Sequence, residues 1–149
     1  GMHFQPQVDD PELTALYRAE CLAHGHRPGL VVEPVPGPAT VFCAEDPDQF
    51  WARYGHHLLA DALGYRAWQT GAGDAGGTRN SFVHSDARTV DELRDEGVYV
   101  VATPDQLVRL VRAGDLGLIT NHPLCGGIPV EAGWESLRLL GERVLPEVR

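Results

Sequence analysis

The sequence predicts an α/β fold, and three observations support this prediction. Short apolar runs bounded by Gly or Pro read as strands, at 29–34, 40–44, 98–102 and 116–120. Helical patterns follow the last three of these runs. The runs are continuously apolar, with little polar alternation, which is typical of parallel strands whose two faces are both covered.

The helix starts are marked by capping residues. Proline follows Asp10, Asp46 and Thr103. A proline at the first helical position loses only an amide that would have been unpaired, and the residue before it can accept hydrogen bonds from the free amides beyond. Capping boxes are expected at Thr103 with Gln106 and at Thr89 with Glu92. Apolar residues then recur at helical spacing, including Leu13, Leu16, Tyr17, Cys21; Phe50, Trp51, Tyr54, Leu58, Ala62, Tyr65; Leu107, Leu110, Val111; and Trp134, Leu137, Leu140, Val144.

The chain length of 149 residues predicts a single domain over residues 1–149. Residues 69–88 are rich in Gly and small polar residues and lack periodicity, so a flexible loop is expected there. The glycines of this loop do not stand between a strand and a helix start. A phosphate-binding loop is therefore not predicted at that position.

Composition excludes several classes of function. The formal charge is -9, with 21 acidic and 12 basic residues, and the basic residues are scattered, so nucleic acid is not an expected partner. All basic residues are arginine, which excludes lysine Schiff-base chemistry. No apolar run reaches the roughly 18 to 20 residues of a bilayer span, and no signal sequence is evident, so a cytoplasmic protein without membrane contact is predicted. The three cysteines are expected to be reduced thiols.

The motif HPLCGGIP, residues 122–129, carries the chemistry-bearing residues. Gly126 and Gly127 allow a ligand to approach the backbone, and such a turn can direct amides at an anion. They also suit a turn from a strand to a helix, which is the alternative interpretation. Cys125 could be a nucleophile with His122 as its base, but no third group is evident, and a packed small apolar side chain is the preferred interpretation.

A metal site is not predicted. Zinc sites show paired ligand spacing repeated on a second element, and the spacing of Cys21 and His24 is only half of such a pattern. The helix end accounts for His24 and His26, where a cation complements the helix dipole. The remaining candidates form no complete pattern either: His56, His57, His122 and Cys125.

Three segments together resemble a known family. The chain contains TPDQ at a helix start, HPLCGGIP after the next strand, and WESLRLLGERVLP as the closing helix. In these it resembles the luciferase-like flavin-dependent monooxygenases, and the likeness extends over nearly all of the chain. The resemblance implies the C-terminal half of a TIM-type (β/α)8 barrel, with FMN or a deazaflavin as cofactor and a small organic substrate.

The resemblance also implies where a cofactor would lie. In such barrels the loops after the strands form the functional face, and here those loops would begin at Glu45, Thr103 and Asn121. Gly126, Gly127 and His122 are the expected cofactor-binding residues, although a surface or core position for His122 is an equal alternative. No catalytic residue is identified.

Half a barrel cannot close by itself, so its open edges and inner apolar face favour association. The expected partner is a second copy in a homodimer or a separately encoded N-terminal half. Two functions follow. One is a flavin- or deazaflavin-dependent oxidoreductase completed by that partner half. The other is a half-barrel relic that lacks catalysis and acts as an interaction or structural module.

Overall fold

The computed structural model describes most of the chain, namely residues 2–6, 10–32, 37–71 and 83–148. The chain divides into two compact units, Gly1–Pro36 and Gly37–Arg149, which are described separately below. The prediction of a single domain over residues 1–149 stays a prediction. Within the described residues, no helix has the length and apolar character needed to cross a bilayer.

The first unit contains helix α1, Pro11–Ala23, which begins where the sequence predicted. The Asp10 side chain accepts a hydrogen bond from the Leu13 amide at 3.0 Å and so caps the helix. The predicted strand at 29–34 is not formed in its described part, where Val31 makes only an isolated parallel bridge with Phe4. Residues 33–34 lie outside the described residues.

The second unit contains a two-stranded parallel sheet. Strand β1, Thr40–Cys43, pairs with strand β2, Tyr99–Ala102, in a register that places Thr40 opposite Tyr99 and Cys43 opposite Ala102. These two predicted strands are confirmed. The predicted strand at 116–120 is wrong, since only one backbone hydrogen bond, from the Val41 amide to the Thr120 carbonyl at 2.7 Å, joins it to β1.

Four further helices of seven residues or more occupy the described part of this unit: α2, Pro47–Gly71; α3, Val90–Glu96; α4, Pro104–Ala113; and α5, Val130–Leu139. Both predicted capping boxes are confirmed, at Thr89 with Glu92 and at Thr103 with Gln106. The last helix continues as a π-helical segment, Leu140–Val144, and one further turn, α6, Leu145–Val148.

The first residues of the segment predicted as a loop over 69–88 are helical, because α2 continues through Gly71. Residues 72–82 lie outside the described residues. Beyond them the chain packs against the core again, with Val83 and Ala87 buried. The predicted loop is therefore interrupted by helix at one end and by core contacts at the other.

The core of the second unit lies on both faces of the sheet. Alternate side chains of β1 point to opposite faces, so that Phe42 packs in one cluster and Val41 and Cys43 in the other. The first cluster takes residues from α2, α3 and the turn before α5. The second takes residues from α4 and the closing helical segments.

The prediction of an α/β fold is therefore confirmed, and the description of half a TIM barrel is not. In a barrel the helices lie on the outer face alone and strand side chains fill the inner face. Here helices cover both faces of a sheet of two strands. The physical reason is that apolar residues of the closing segment, among them Leu139, Leu140 and Val144, cluster with Val41 and Cys43 on the face of β1 opposite to Phe42.

The buried face of α5 also differs from the predicted apolar stripe. Trp134, a member of that stripe, is 66% exposed. The buried residues of α5 are Leu139 and three small residues, namely Ala132, Gly133 and Ser136. Small residues are needed because the backbone at Pro123 lies close to α5. A Cβ at Gly133 would stand 2.5 Å from the Pro123 carbonyl oxygen.

The edge of β1 that faces away from β2 is covered by side chains instead of another strand. The Asn121 amide group donates to the Val41 carbonyl at 2.7 Å. The hydroxyl of Ser136, on α5, accepts from the Cys43 amide at 2.9 Å. Within the described residues the sheet has two strands, so neither outer edge pairs with a further strand, and these side chains meet the outer edge of β1.

Candidate functional site

The turn that follows Thr120 leaves the sheet beside the start of β1. The His122 amide donates to the Thr40 hydroxyl at 2.9 Å, and Thr40 is the first residue of β1. The expectation that Asn121 begins a loop at the carboxyl ends of the strands is therefore wrong. The Asn121 side chain donates to the Val41 carbonyl. Backbone pairing between residues 116–120 and β1 is therefore limited to one hydrogen bond, from the Val41 amide to the Thr120 carbonyl.

Gly126 and Gly127 both have left-handed backbone conformations, with φ of 58° and 78°. Gly126 lies directly against α2, where a Cβ would stand 1.8 Å from the His57 carbonyl oxygen. The His57 ring also contacts Gly126, since Nδ1 donates to the Gly126 carbonyl at 2.9 Å. The left-handed backbone and the packing against α2 account for Gly126, and cofactor binding by these glycines and His122 stays a prediction.

The same turn brings three side chains of different chemistry together. Asp61 of α2, His122 and Cys125 have ligand atoms that all lie within 4.8 Å of one another. The Tyr99 hydroxyl donates to Asp61 Oδ2 at 2.7 Å. Cys125 is 1% exposed, and His122 is exposed to solvent.

Burial is the main influence on the pKa values of Cys125 and Tyr99. It raises the pKa of the Cys125 thiol to about 12, and the negative charge of Asp61 adds to the rise. The pKa of Tyr99 is raised as well, mainly by burial and to a smaller extent by the hydrogen bond to Asp61. Because a thiol reacts as its thiolate, this shift supports the interpretation of Cys125 as a packed side chain.

Sequence reasoning missed Asp61, which lies 61 residues before His122 in the chain. A signal was available in the run LLADAL, residues 58–63, where a single carboxylate interrupts apolar residues of a helix. Leu58 and Ala62 on that helix are buried. A carboxylate beside buried positions needs a polar partner, and Tyr99 is the partner found.

The other candidate metal ligands are not gathered into a group. In the first unit His24 is the C-cap of α1, at the helix end where the sequence predicted it. Its Nε2 lies 3.7 Å from Glu20 Oε2 in an exposed contact. Within the described part of the chain, the only group of three or more potential ligands is Asp61, His122 and Cys125. Cys21, His24 and His26 belong to none.

A separate cleft of about 130 Å³ opens at the carboxyl end of β1. Ligands of open α/β sheets bind at this end of the strands. The cleft has polar and charged walls, and its charged or hydrogen-bonding residues are Glu45, Asp46, Gln49, Arg53, Tyr54, Glu135 and Ser136.

The walls of this cleft carry more negative than positive charge. Glu45, Asp46 and Glu135 line the cleft together with Arg53, whose guanidinium lies over the Tyr54 ring at 5.2 Å. Glu45 is also paired with Arg143, with 3.6 Å between Oε1 and Nη1. Asp46 also caps α2, accepting from the Gln49 amide at 2.9 Å.

Comparison of the chain with known protein families, with curated proteins and with solved structures finds no match.

Proposed function

We propose that this chain corresponds to the C-terminal half of a luciferase-like oxidoreductase, which uses FMN or a deazaflavin to act on a small organic substrate. The α/β class and the parallel pairing of β1 with β2 agree with such a protein. The motifs TPDQ, HPLCGGIP and WESLRLLGERVLP support the family. In this proposal the cofactor performs the redox chemistry, and the protein orients it against the substrate.

The cleft at the carboxyl end of β1 is the observation that carries the proposal. It lies where α/β proteins bind small molecules, and Arg53 supplies a cation among polar groups. Its volume of about 130 Å³ is below the 300 Å³ or so of a typical ligand pocket. The cleft therefore serves as one wall of a larger site that assembly would complete.

Assembly is the second part of the proposal. The outer edge of β2 has no strand partner within the described residues, and an unpaired edge is a template for a further strand. Apolar side chains are also exposed on the turn and the outer face of α5, at Leu124, Val130 and Trp134. A second copy of the chain or a separate half would extend the sheet from β2 and cover these side chains.

A different function, an interaction or structural module without catalysis, is favoured by one observation. Gly126, one of the expected cofactor contacts, faces the His57 backbone of α2. In this alternative the half-barrel segments are a relic, and the exposed apolar side chains bind a partner protein.

Titration with FMN and with a deazaflavin distinguishes the two functions. Binding would be followed by the visible absorption and the fluorescence of each cofactor, at protein concentrations where light scattering with size exclusion reports the oligomeric state. The oxidoreductase proposal expects a saturable spectral change and a mass of at least two copies. A monomer with no spectral change for either cofactor would support the module instead.

Matched arginine variants locate the binding. Arg53→Ala removes the guanidinium that lines the cleft among the described residues and is expected to weaken cofactor or substrate binding at least about tenfold, since hydrogen bonds to a charged group contribute about 1.5–3 kcal/mol. Arg109→Ala removes an exposed guanidinium of α4 outside this cleft and serves as the control. Equal losses in the two variants would place binding elsewhere.

A further inference from the structure

Two residues of the turn are spaced as a pair of metal ligands. His122 and Cys125 are three residues apart, and the Cys125 amide donates to the His122 carbonyl at 3.0 Å, which closes a tight turn between them. Short spacing of this kind, with two intervening residues, is the usual form of one half of a zinc site. By itself it is only half of the pattern.

Helix α2 supplies the third ligand that the sequence pattern lacked. Asp61 lies close to the turn, so that a carboxylate oxygen, an imidazole nitrogen of His122 and the Cys125 sulfur are within 4.8 Å of one another. A tetrahedral zinc ion with bonds of about 2.0–2.3 Å separates its ligand atoms by roughly 3.3–3.8 Å. An inward movement of about 1 Å, within the reach of side-chain rotation, would bring the three atoms to that spacing.

The surroundings hold these ligands in place. The His122 amide is bound to Thr40, and the left-handed backbone of Gly126 after the cysteine is packed against His57. The Tyr99 hydroxyl donates to Asp61 Oδ2, which leaves Oδ1 for a metal. A hydrogen bond of this kind from an outer group orients a ligand and is a regular feature of metal sites.

From this arrangement we propose that Asp61, His122 and Cys125 form a zinc-binding site that joins α2 to the turn before α5. The Cys125 side chain, 1% exposed, supplies the sulfur from the core side. The exposed His122 leaves a fourth position for water. Thiolate, imidazole and carboxylate together select zinc over magnesium or calcium, which prefer oxygen ligands alone.

Charge balance explains what the ion would change. Asp61 already places one negative charge beside the buried sulfur. Binding of Zn²⁺ replaces the thiol proton, which passes to solvent, and the charges of the thiolate and the carboxylate then sum to zero with that of the ion. No oxidant or reductant is needed.

The proposed zinc site is distinct from the cleft. His122 lies beside the first residue of β1, whereas the cleft is at the carboxyl end of that strand. The same residue types also form thiol nucleophiles, but a nucleophile must meet its substrate, and the Cys125 side chain is almost completely buried.

The proposal is tested by titrating the reduced, chelator-treated full chain with Zn²⁺ against a chromophoric competitor. Titration with Co²⁺ reports thiolate coordination as a charge-transfer band in the near ultraviolet. One equivalent of metal per chain is expected, together with the Co²⁺ band and a higher Tm when Zn²⁺ is added. Absence of stoichiometric uptake at neutral pH overturns the proposal.

Variants assign the ligands. His122→Ala, at an exposed position, is expected to weaken Zn²⁺ binding at least about tenfold and to reduce the rise in Tm. Tyr99→Phe, which removes the hydrogen bond to Asp61, is expected to weaken binding about tenfold while it preserves the Co²⁺ thiolate band. Cys125→Ser, checked for folding by circular dichroism, should lose that band.

Two controls exclude adventitious binding. His56→Ala removes an exposed histidine of α2 that is not part of the group, and Cys21→Ala removes a free thiol of the first unit. Both variants are expected to bind Zn²⁺ as the wild type does. If His122→Ala also binds unchanged, or if Cys21→Ala abolishes uptake, the ion is bound elsewhere and the proposal is wrong.

Discussion

The carbonyl oxygen of His57 occupies the space that a Cβ at Gly126 would need, at a separation of 1.8 Å. Gly126 also has a φ of 58°, which L side chains rarely adopt. Gly126→Ala therefore combines a steric conflict with backbone strain, and we expect it to lower the free energy of unfolding by at least about 3 kcal/mol. Urea unfolding followed by circular dichroism measures the change.

The neighbouring glycine is the matched control for that substitution. Gly127 has a φ of 78°, but the nearest atom to its Cβ position, His57 Nδ1, is 3.9 Å away. Gly127→Ala should cost only the left-handed conformation, about 1–2 kcal/mol. Equal destabilisation by the two substitutions would mean that α2 does not pack against Gly126 as described.

Ser136 is expected to contribute to stability through a single buried hydrogen bond. Its hydroxyl accepts from the Cys43 amide at 2.9 Å, and its side chain is 1% exposed. Ser136→Ala leaves that amide without a partner, which costs about 1–3 kcal/mol. Glu135→Ala, at the exposed neighbouring position, should change stability by less than about 0.5 kcal/mol. Similar losses in both variants would contradict a specific role for the hydroxyl.

The capping box of α4 offers a test of a local signal. Thr103 Oγ1 accepts from the Gln106 amide at 3.3 Å. Thr103→Ala should lower the free energy of unfolding by about 1 kcal/mol, whereas Thr103→Ser keeps the hydroxyl and should remain close to wild type. Thermal unfolding of the three proteins in parallel measures the difference. A serine variant as unstable as the alanine variant would argue against capping.

The three thiols should differ in their reactivity. Cys43 and Cys125 are buried, while Cys21 is partly exposed. In the folded, metal-free protein at pH 8 we expect a thiol-specific reagent to modify Cys21 first and the other two only after unfolding, because modification requires an accessible thiolate. Mass spectrometry of the labelled peptides over time checks this order. Early labelling of Cys43 would contradict the packing of β1.

Alkaline pH should destabilise the fold partly through Cys43. Burial, aided by the charge of Glu45, raises the pKa of this thiol from 9.0 to about 12. Below pH 9 the thiol is protonated in both the folded and the unfolded protein, and its contribution to stability is complete. This contribution is lost as the pH rises from 9 towards 12, because the unfolded protein loses the thiol proton first. Unfolding free energies measured between pH 8 and roughly 10.5 should fall less steeply in Cys43→Ala than in the wild type. Parallel slopes would refute the assignment.

Local signals in the sequence predicted the elements of the fold more reliably than their arrangement. The caps at Asp10, Thr89 and Thr103 begin helices as expected, because a cap and the amides it satisfies lie within four residues of each other. Strands β1 and β2 were also predicted. The run at 116–120 is not a strand. The Val41 carbonyl and the Cys43 amide, with which it would have paired, are instead hydrogen-bonded to the side chains of Asn121 and Ser136.

The sequence by itself thus determined the α/β class, most helix starts, two strands and the turn that contains Gly126. Only the tertiary structure decided that helices cover both faces of the sheet and that Asp61 meets His122 and Cys125. The physical reason is distance along the chain. Capping and periodicity act within a few residues, whereas packing and side-chain clusters join residues far apart, such as Cys43 and Ser136, whose pairing no local pattern records.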